Sequence, residues 1–165
     1  MNEIVLVYRQ FQHPTLLGLL EEKYVVKRLW EVSDKNKFIE NHCLNVRAMV
    51  TDHLGASEKL IKLFPQLKII SNFGVGFDSV DVDYATQKGI QVTNTPDVLT
   101  DDVADLAIAL LVSVARSIPE GDRFVREGIW KERIMRFSKS LSGKKIGILG
   151  MGRIGQAIAK RAEAF

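Results

Sequence analysis

The chain of 165 residues reads as an α/β protein built on a parallel sheet, and three observations predict it. Short β-branched runs alternate with helical patterns, the turns between them are a few residues long, and the first run, Ile4–Tyr8 (IVLVY), is apolar on both faces. Strands apolar on both faces belong to sheets covered on both sides. Strand, helix and strand joined by short turns close into right-handed parallel units with helices on both faces.

After the first strand, Pro14 stands near the start of TLLGLLEEKY, where Leu16, Leu17, Leu20 and Tyr24 recur at helical spacing. VVKRLW (Val25–Trp30) is the second strand. Asp34 is placed to cap a helix carrying Phe38 and Ile39, with Cys43 at its end. Ala48–Val50 is a short strand running into the turn TDHLGAS. Ser57 caps a helix with Leu60, Ile61 and Phe64, ended by Pro65. Leu67–Phe73 is a strand stopped by Gly74 and Gly76. Asp81–Lys88 is a helix closed by Gly89, and Ile90–Asn94 is the next strand, ended by Thr95-Pro96.

The character changes after Pro96. Thr100 reads as the N-cap of a nearly all-apolar helix to Arg116, with Asp101, Asp102 and Asp105 near its start as dipole and solvation residues. A helix apolar all round is expected to be buried between domains or subunits. Pro119 restarts a more polar helix through Gly128 and Trp130. Then come Ser142-Gly143, a strand Lys144–Gly150 (KKIGILG) and a helix from Arg153 to the end. The first domain is placed at residues 1–97 and the second at 98–165.

Composition excludes several functions. Hydrophobic residues are 46% and charged residues 26%, as in ordinary globular chains. Lys plus Arg is 23 against 20 acids, a net charge of +3, without a block of like charge, which argues against nucleic acid as a partner. The longest apolar run, Leu106–Ala115 broken by Ser113, is about half of the ~20 residues of a membrane helix. MNEIVLVYRQ has no basic region before its apolar run and does not read as a secretory signal. One cysteine, Cys43, and the single histidines His13, His42 and His53 lack the spacing of a disulfide or zinc site. The expectation is a soluble, cytoplasmic protein without a structural metal or a membrane partner.

Two glycine turns carry the chemistry. Gly150-Met-Gly152-Arg-Ile-Gly155 matches G-x-G-x-x-G between an apolar strand and a helix, the context of a dinucleotide fingerprint. Gly150 permits the tight turn, Gly152 lets backbone approach a pyrophosphate, and Gly155 lets the helix pack close. Unpaired amides at the helix start then face the phosphates. The residue that separates a ribose hydroxyl from a 2′-phosphate falls about 20 positions on, past Phe165, so the choice between NAD and NADP is not written here. The second turn, Gly74-Val75-Gly76, follows a strand, where open α/β sheets bind ligands, and its amides suit a carboxylate. On the residues alone, an unliganded glycine turn fits it equally well.

Three segments in order, NFGVGFDSVDVDYATQKGIQVTNTPDVLTDDVADLAIALL, then Gly128-Ile129-Trp130, then LSGKKIGILGMGRIGQAIAKRAEAF, resemble the D-isomer-specific 2-hydroxyacid dehydrogenases. The wording is especially similar to plant hydroxyphenylpyruvate and glyoxylate/hydroxypyruvate reductases. The likeness is strong from about residue 67 onward and weaker before it. It implies a flavodoxin-like substrate domain followed by the first strand and helix of a Rossmann dinucleotide-binding domain, both incomplete.

The resemblance also implies roles. Val75 and Gly76 give main-chain amides to the substrate carboxylate, and Val75 also touches the nicotinamide side of the cofactor. The loop around Leu54 lines the substrate pocket, although plain turn packing explains Leu54 as well. Thr100 lies near the cofactor, a task compatible with capping a helix. Arg153 and Ile154 join Gly150, Gly152 and Gly155 at the pyrophosphate. His53 reads as a loop histidine, since no paired acid is apparent.

The implied reaction is NADP-dependent (alternatively NAD-dependent) interconversion of a small 2-oxo acid and its 2-hydroxy acid, by a homodimer. An arginine, a histidine and a glutamate carry the proton chemistry in this family and would fall after Phe165. No catalytic residue is therefore expected within these residues, and the chain is expected to be inactive alone. The alternative expectation is a truncated fragment or isoform that acts at most as a dimerisation partner through the helix from Thr100.

Overall fold

The computed structural model describes residues 3–10 and 14–165; His13 lies outside the described residues. The chain divides into two compact units, Met1–Pro96 and Asp97–Phe165.

The first unit is a five-stranded parallel sheet. Its strands are β1 (Ile4–Val7), β2 (Val25–Arg28), β3 (Val46–Thr51), β4 (Ile69–Asn72) and β5 (Gln91–Thr93), in the order β2-β1-β3-β4-β5. This is the flavodoxin-like order of a doubly wound sheet. β1 is buried along its whole length because it is flanked by strands and covered on both faces. Its alternating side chains divide accordingly. Ile4 and Leu6 enter a core with Leu29, Phe38, Met49, Ile61, Phe64 and Ile70, while Val5 and Val7 join Val50 on the opposite face. The edge strands β2 and β5 are only partly buried.

Three helices feed the larger core: α2 (Lys35–His42), α3 (Glu58–Ile61) and α4 (Val82–Gln87). Two start after the caps the sequence places, and α4 starts one residue later than expected because Asp81 is its cap rather than its first helical residue. Asp34 accepts from the Lys37 amide, Ser57 from Leu60 and Asp81 from Tyr84. Gly89 closes α4 with φ +69. Helix α1 (Pro14–Glu21) packs Leu16, Leu17 and Leu20 on the other face. It stops before Tyr24, and VVKRLW yields to a 3-10 turn at Leu29–Glu31, so β2 is shorter than expected. Beside α1, a cavity of about 560 Å3 lies over the sheet, lined by Leu16, Leu20, Ala48, Val50, Ile69 and Phe73 among others.

The second unit comprises α5 (Thr100–Ala115), α6 (Ile118–Arg126) and α7 (Arg153–Ala162). Three expectations need correction here. Thr100 is the first helical residue rather than the cap: Leu99 holds that position, and no side-chain cap bond forms. The Asp97 carbonyl accepts from the Thr100 amide across a turn in which Asp97 itself has φ 70, so the chain enters the helix through a backbone turn. α6 ends at Arg126 because Gly128, at φ 75, turns the chain into a 3-10 turn, Ile129–Lys131, that contains Trp130.

Lys144–Gly150 makes no strand. An extended segment becomes a strand by exchanging hydrogen bonds with a neighbour, and this one has none among the described residues. Leu149 is fully exposed as a result. Helix α5 packs on α7, and within this chain Ala104 is its one buried residue.

Candidate functional site

In the first unit the relevant loops leave the carboxyl ends of adjacent strands. Thr51 and Asn72 are register partners at the ends of β3 and β4, so the loop holding Leu54 and the turn Gly74-Val75-Gly76 start side by side. Thr51, fully buried, donates from Oγ1 to the Gly55 carbonyl at 2.7 Å. The Asp52 carboxylate accepts from the Leu54 amide at 3.0 Å. Gly55, at φ +66, lies so close to Ser79 that a β-carbon would stand 2.0 Å from the Ser79 carbonyl oxygen. The Ala56 amide donates to that same oxygen, and the Asp81 amide to the Ala56 carbonyl. The Leu54 loop is thus fastened to the far end of the glycine turn, and Leu54 is left half exposed.

The glycine turn is held by its carbonyl groups. Gly74 O accepts from the Thr95 amide at 2.9 Å, Val75 O from Asn94 Nδ2 at 2.8 Å, and Gly76 O from Asn72 Nδ2 at 2.7 Å. The amides of Val75 and Gly76 donate to nothing among the described residues. None of the three residues has a positive φ, so the turn opens its amides without left-handed backbone. The arrangement is a pair of main-chain donors at the carboxyl edge of a parallel sheet, suited to an anionic oxygen.

His53 is 82% exposed, and its Nδ1 stands 3.6 Å from Asp52 Oδ2. The acid is therefore present beside it, a neighbour the linear pattern did not single out. His53 lies at the loop surface, whereas the Asp52 side chain is only 16% exposed. No cluster of three His, Cys, Asp or Glu side chains able to hold a metal occurs among the described residues.

In the second unit, Gly150 has φ +94 and makes the tight turn. A β-carbon on Gly155 would meet the Gly150 carbonyl oxygen at 2.0 Å, so only glycine lets the helix start so close to the loop. A β-carbon on Gly152 meets nothing within 4 Å. The first intrahelical bond of α7 runs from the Gln156 amide to Gly152 O, and no side chain caps the helix. The amides of Arg153, Ile154 and Gly155 are thus without an acceptor among the described residues. Open space before unpaired amides at the positive end of a helix dipole fits a dinucleotide pyrophosphate.

Two ion-pair systems near this loop were not legible as pairs. Arg153 Nη1 lies 2.6 Å from Asp97 Oδ1. Arg161 reaches Asp101 at 2.9 Å and Asp105 at 2.5 Å. Asp101 and Asp105 are therefore more than dipole residues: spaced by four on α5, they grip the last turn of α7. Their hydrogen bonds, Asp101 first and Asp105 second, hold the Arg161 guanidinium above its ordinary pKa. Asp97 and Asp101 bracket Thr100, which places the start of α5 alongside both ends of α7.

The sequence profile of the D-isomer-specific 2-hydroxyacid dehydrogenase catalytic domain matches residues 5–163. The chain belongs to this family. The family's members are NAD(P)-dependent 2-hydroxyacid dehydrogenases. Among its relatives, glyoxylate/hydroxypyruvate reductase A of Arabidopsis thaliana is 48% identical over 147 residues, 88% of this chain and 47% of that protein. Hydroxyphenylpyruvate reductase of Plectranthus scutellarioides is 46% identical over the same shares of each chain. A solved NADPH-dependent glyoxylate/hydroxypyruvate reductase from Sinorhizobium meliloti, in complex with NADP and malonate, superimposes with a TM-score of 0.86 at 39% identity. It covers 99% of this chain and 51% of that one. The chain thus spans about half the length of these 2-hydroxyacid dehydrogenases.

Proposed function

We propose that the protein serves NADPH-dependent reduction of a small 2-oxo acid, glyoxylate, hydroxypyruvate or hydroxyphenylpyruvate, to the 2-hydroxy acid. The observation that carries this reading is the pair of amide sets without acceptors: Val75 and Gly76 in one unit, Arg153 to Gly155 in the other. Val75 and Gly76 hold the substrate carboxylate, with Leu54 against its remainder. Gly150, Gly152, Arg153, Ile154 and Gly155 cradle the pyrophosphate, with Thr100 near the cofactor. When bound, the reduced nicotinamide supplies the hydride.

This chain's residues bind and orient. Two amide donors fix a carboxylate in direction as well as place, which converts an encounter into an aligned one. A helix start with a glycine at the point of closest approach receives a diphosphate without a side chain in the way. The general acid belongs, in this reading, to the half of the family's length that these residues do not span. NADP is favoured over NAD by the malonate complex of the Sinorhizobium meliloti relative, which holds NADP.

A second reading, association through α5 as a homodimer or with a longer partner, draws on one feature. Val103, Leu106, Leu110 and Val114 form an apolar stripe along one side of α5, and all four are exposed, Val114 at 80%. We place the protein in the cytoplasm, a reading supported by the single unbridged cysteine, Cys43. No helix among the described residues is long and apolar enough to cross a membrane.

The experiment is direct. The 165-residue protein, given NADPH and glyoxylate or hydroxypyruvate, binds both and oxidises no cofactor above background, while a version extended to the family's full length turns over. Turnover by the 165 residues alone overturns the assignment of the proton chemistry. Failure of the extended protein with all three oxo acids overturns the activity.

A further inference from the structure

The glycine turn owes its open amides to two asparagines that no sequence pattern marked. In a trans peptide the C=O and the following N–H point in opposite directions, and all peptides described here are trans. Fixing a carbonyl therefore aims the next amide. The Thr95 amide holds Gly74 O and so turns the Val75 N–H outward. The next two carbonyls receive side-chain donors instead: Val75 O is held by Asn94 at 2.8 Å, and Gly76 O by Asn72 at 2.7 Å. By the same geometry Asn94 aims the Gly76 N–H, and Asn72 aims that of Phe77.

We propose that Asn94 and Asn72 are positioning residues for the carboxylate turn: Asn94, through the Val75 carbonyl, presents the Gly76 amide to the substrate, and Asn72, through the Gly76 carbonyl, fixes the Phe77 end of the turn. The inference rests on the carboxylate role given to this turn above. Asn72 is 1% exposed, and its Oδ1 is buried without a partner among the described residues. Leaving an acceptor unsatisfied in a core is costly, so an apolar residue would serve packing better. What Asn72 offers in return is its Nδ2 donor at the Gly76 carbonyl. Aspartate has nearly the same shape, but ionised it accepts only, and it would repel the carbonyl it faces.

The test titrates glyoxylate into the 15N-labelled protein and follows the Val75, Gly76 and Phe77 amide signals in the wild type, Asn94→Asp and Asn94→Ala. Asn94 is only half buried, and Asn94→Ser supplies a further variant that keeps a hydroxyl donor. The expected result has three parts. The wild-type amides shift saturably. Asn94→Asp and Asn94→Ala bind about tenfold more weakly with an unchanged melting temperature. The Gly76 signal also moves in both variants before ligand is added. Asn94→Ser then binds more tightly than Asn94→Ala. Wild-type binding with equal affinity in every variant overturns this inference and leaves the carboxylate turn standing. Silence of the wild-type amides overturns the turn's role and this inference together.

Discussion

Gly55 and Ser79 meet backbone to backbone, so close that a β-carbon on Gly55 would come 2.0 Å from the Ser79 carbonyl oxygen. With φ at +66, Gly55 is also in a conformation that L side chains rarely adopt. Gly55→Ala is expected to lower stability by about 1–3 kcal/mol from backbone strain, with the clash adding to it. It should also loosen the tie between the Leu54 loop and the glycine turn. Chemical denaturation measures the first effect, and glyoxylate affinity the second.

Gly152→Ala and Gly155→Ala separate binding from folding. At Gly152 the backbone suits any residue, and a β-carbon meets nothing within 4 Å, so stability should stay within about 0.5 kcal/mol of the wild type. Nucleotide binding should nevertheless fall by about tenfold or more, because the added methyl occupies the pyrophosphate's approach. At Gly155 the Gly150 carbonyl oxygen stands 2.0 Å away, so alanine there should cost stability and binding together. Thermal melts paired with NADPH titrations distinguish the two.

The grip of α5 on α7 should ignore pH and respond to salt. The Arg161 pKa is raised, so its share of stability is present below the ordinary arginine value and is lost only as pH climbs through the higher folded value. That window lies far above working conditions. From about pH 6 to 9 the contribution of Arg161 should be flat, while salt at about 1 M screens it. Comparing Arg161→Met with wild type across pH and salt checks both statements.

Asp34→Ala should remove about 1 kcal/mol by freeing the Lys37 amide that Asp34 now caps. Phe64→Ala, in the centre of the larger core, should remove about 3–5 kcal/mol. Urea titrations rank the two.

Much of this was readable from residue order. The parallel sheet follows from IVLVY and its alternating successors, and Asp34 and Ser57 announce their helices because capping is local chemistry. Gly150 and Gly155 declare a tight turn and a close approach for the same reason. What escaped depends on partners distant in sequence. Asn72 and Asn94 look like ordinary strand-end residues until the sheet sets β4 beside β5. Asp97 and Arg153 are 56 residues apart and meet only after folding. Lys144–Gly150 has the composition of a strand, yet composition supplies no neighbour to pair with. Thr100 has the chemistry of a cap, yet Leu99 holds that position, reached through the backbone turn at Asp97.

Two separate sets of backbone amides await two anions, and the 1H–15N spectrum of the protein titrated with NADPH and then with glyoxylate reads both. NADPH should move the amides of Arg153 to Gly155, and glyoxylate those of Val75 and Gly76. Saturable shifts confined to other residues, or no shifts at either turn, would contradict this assignment.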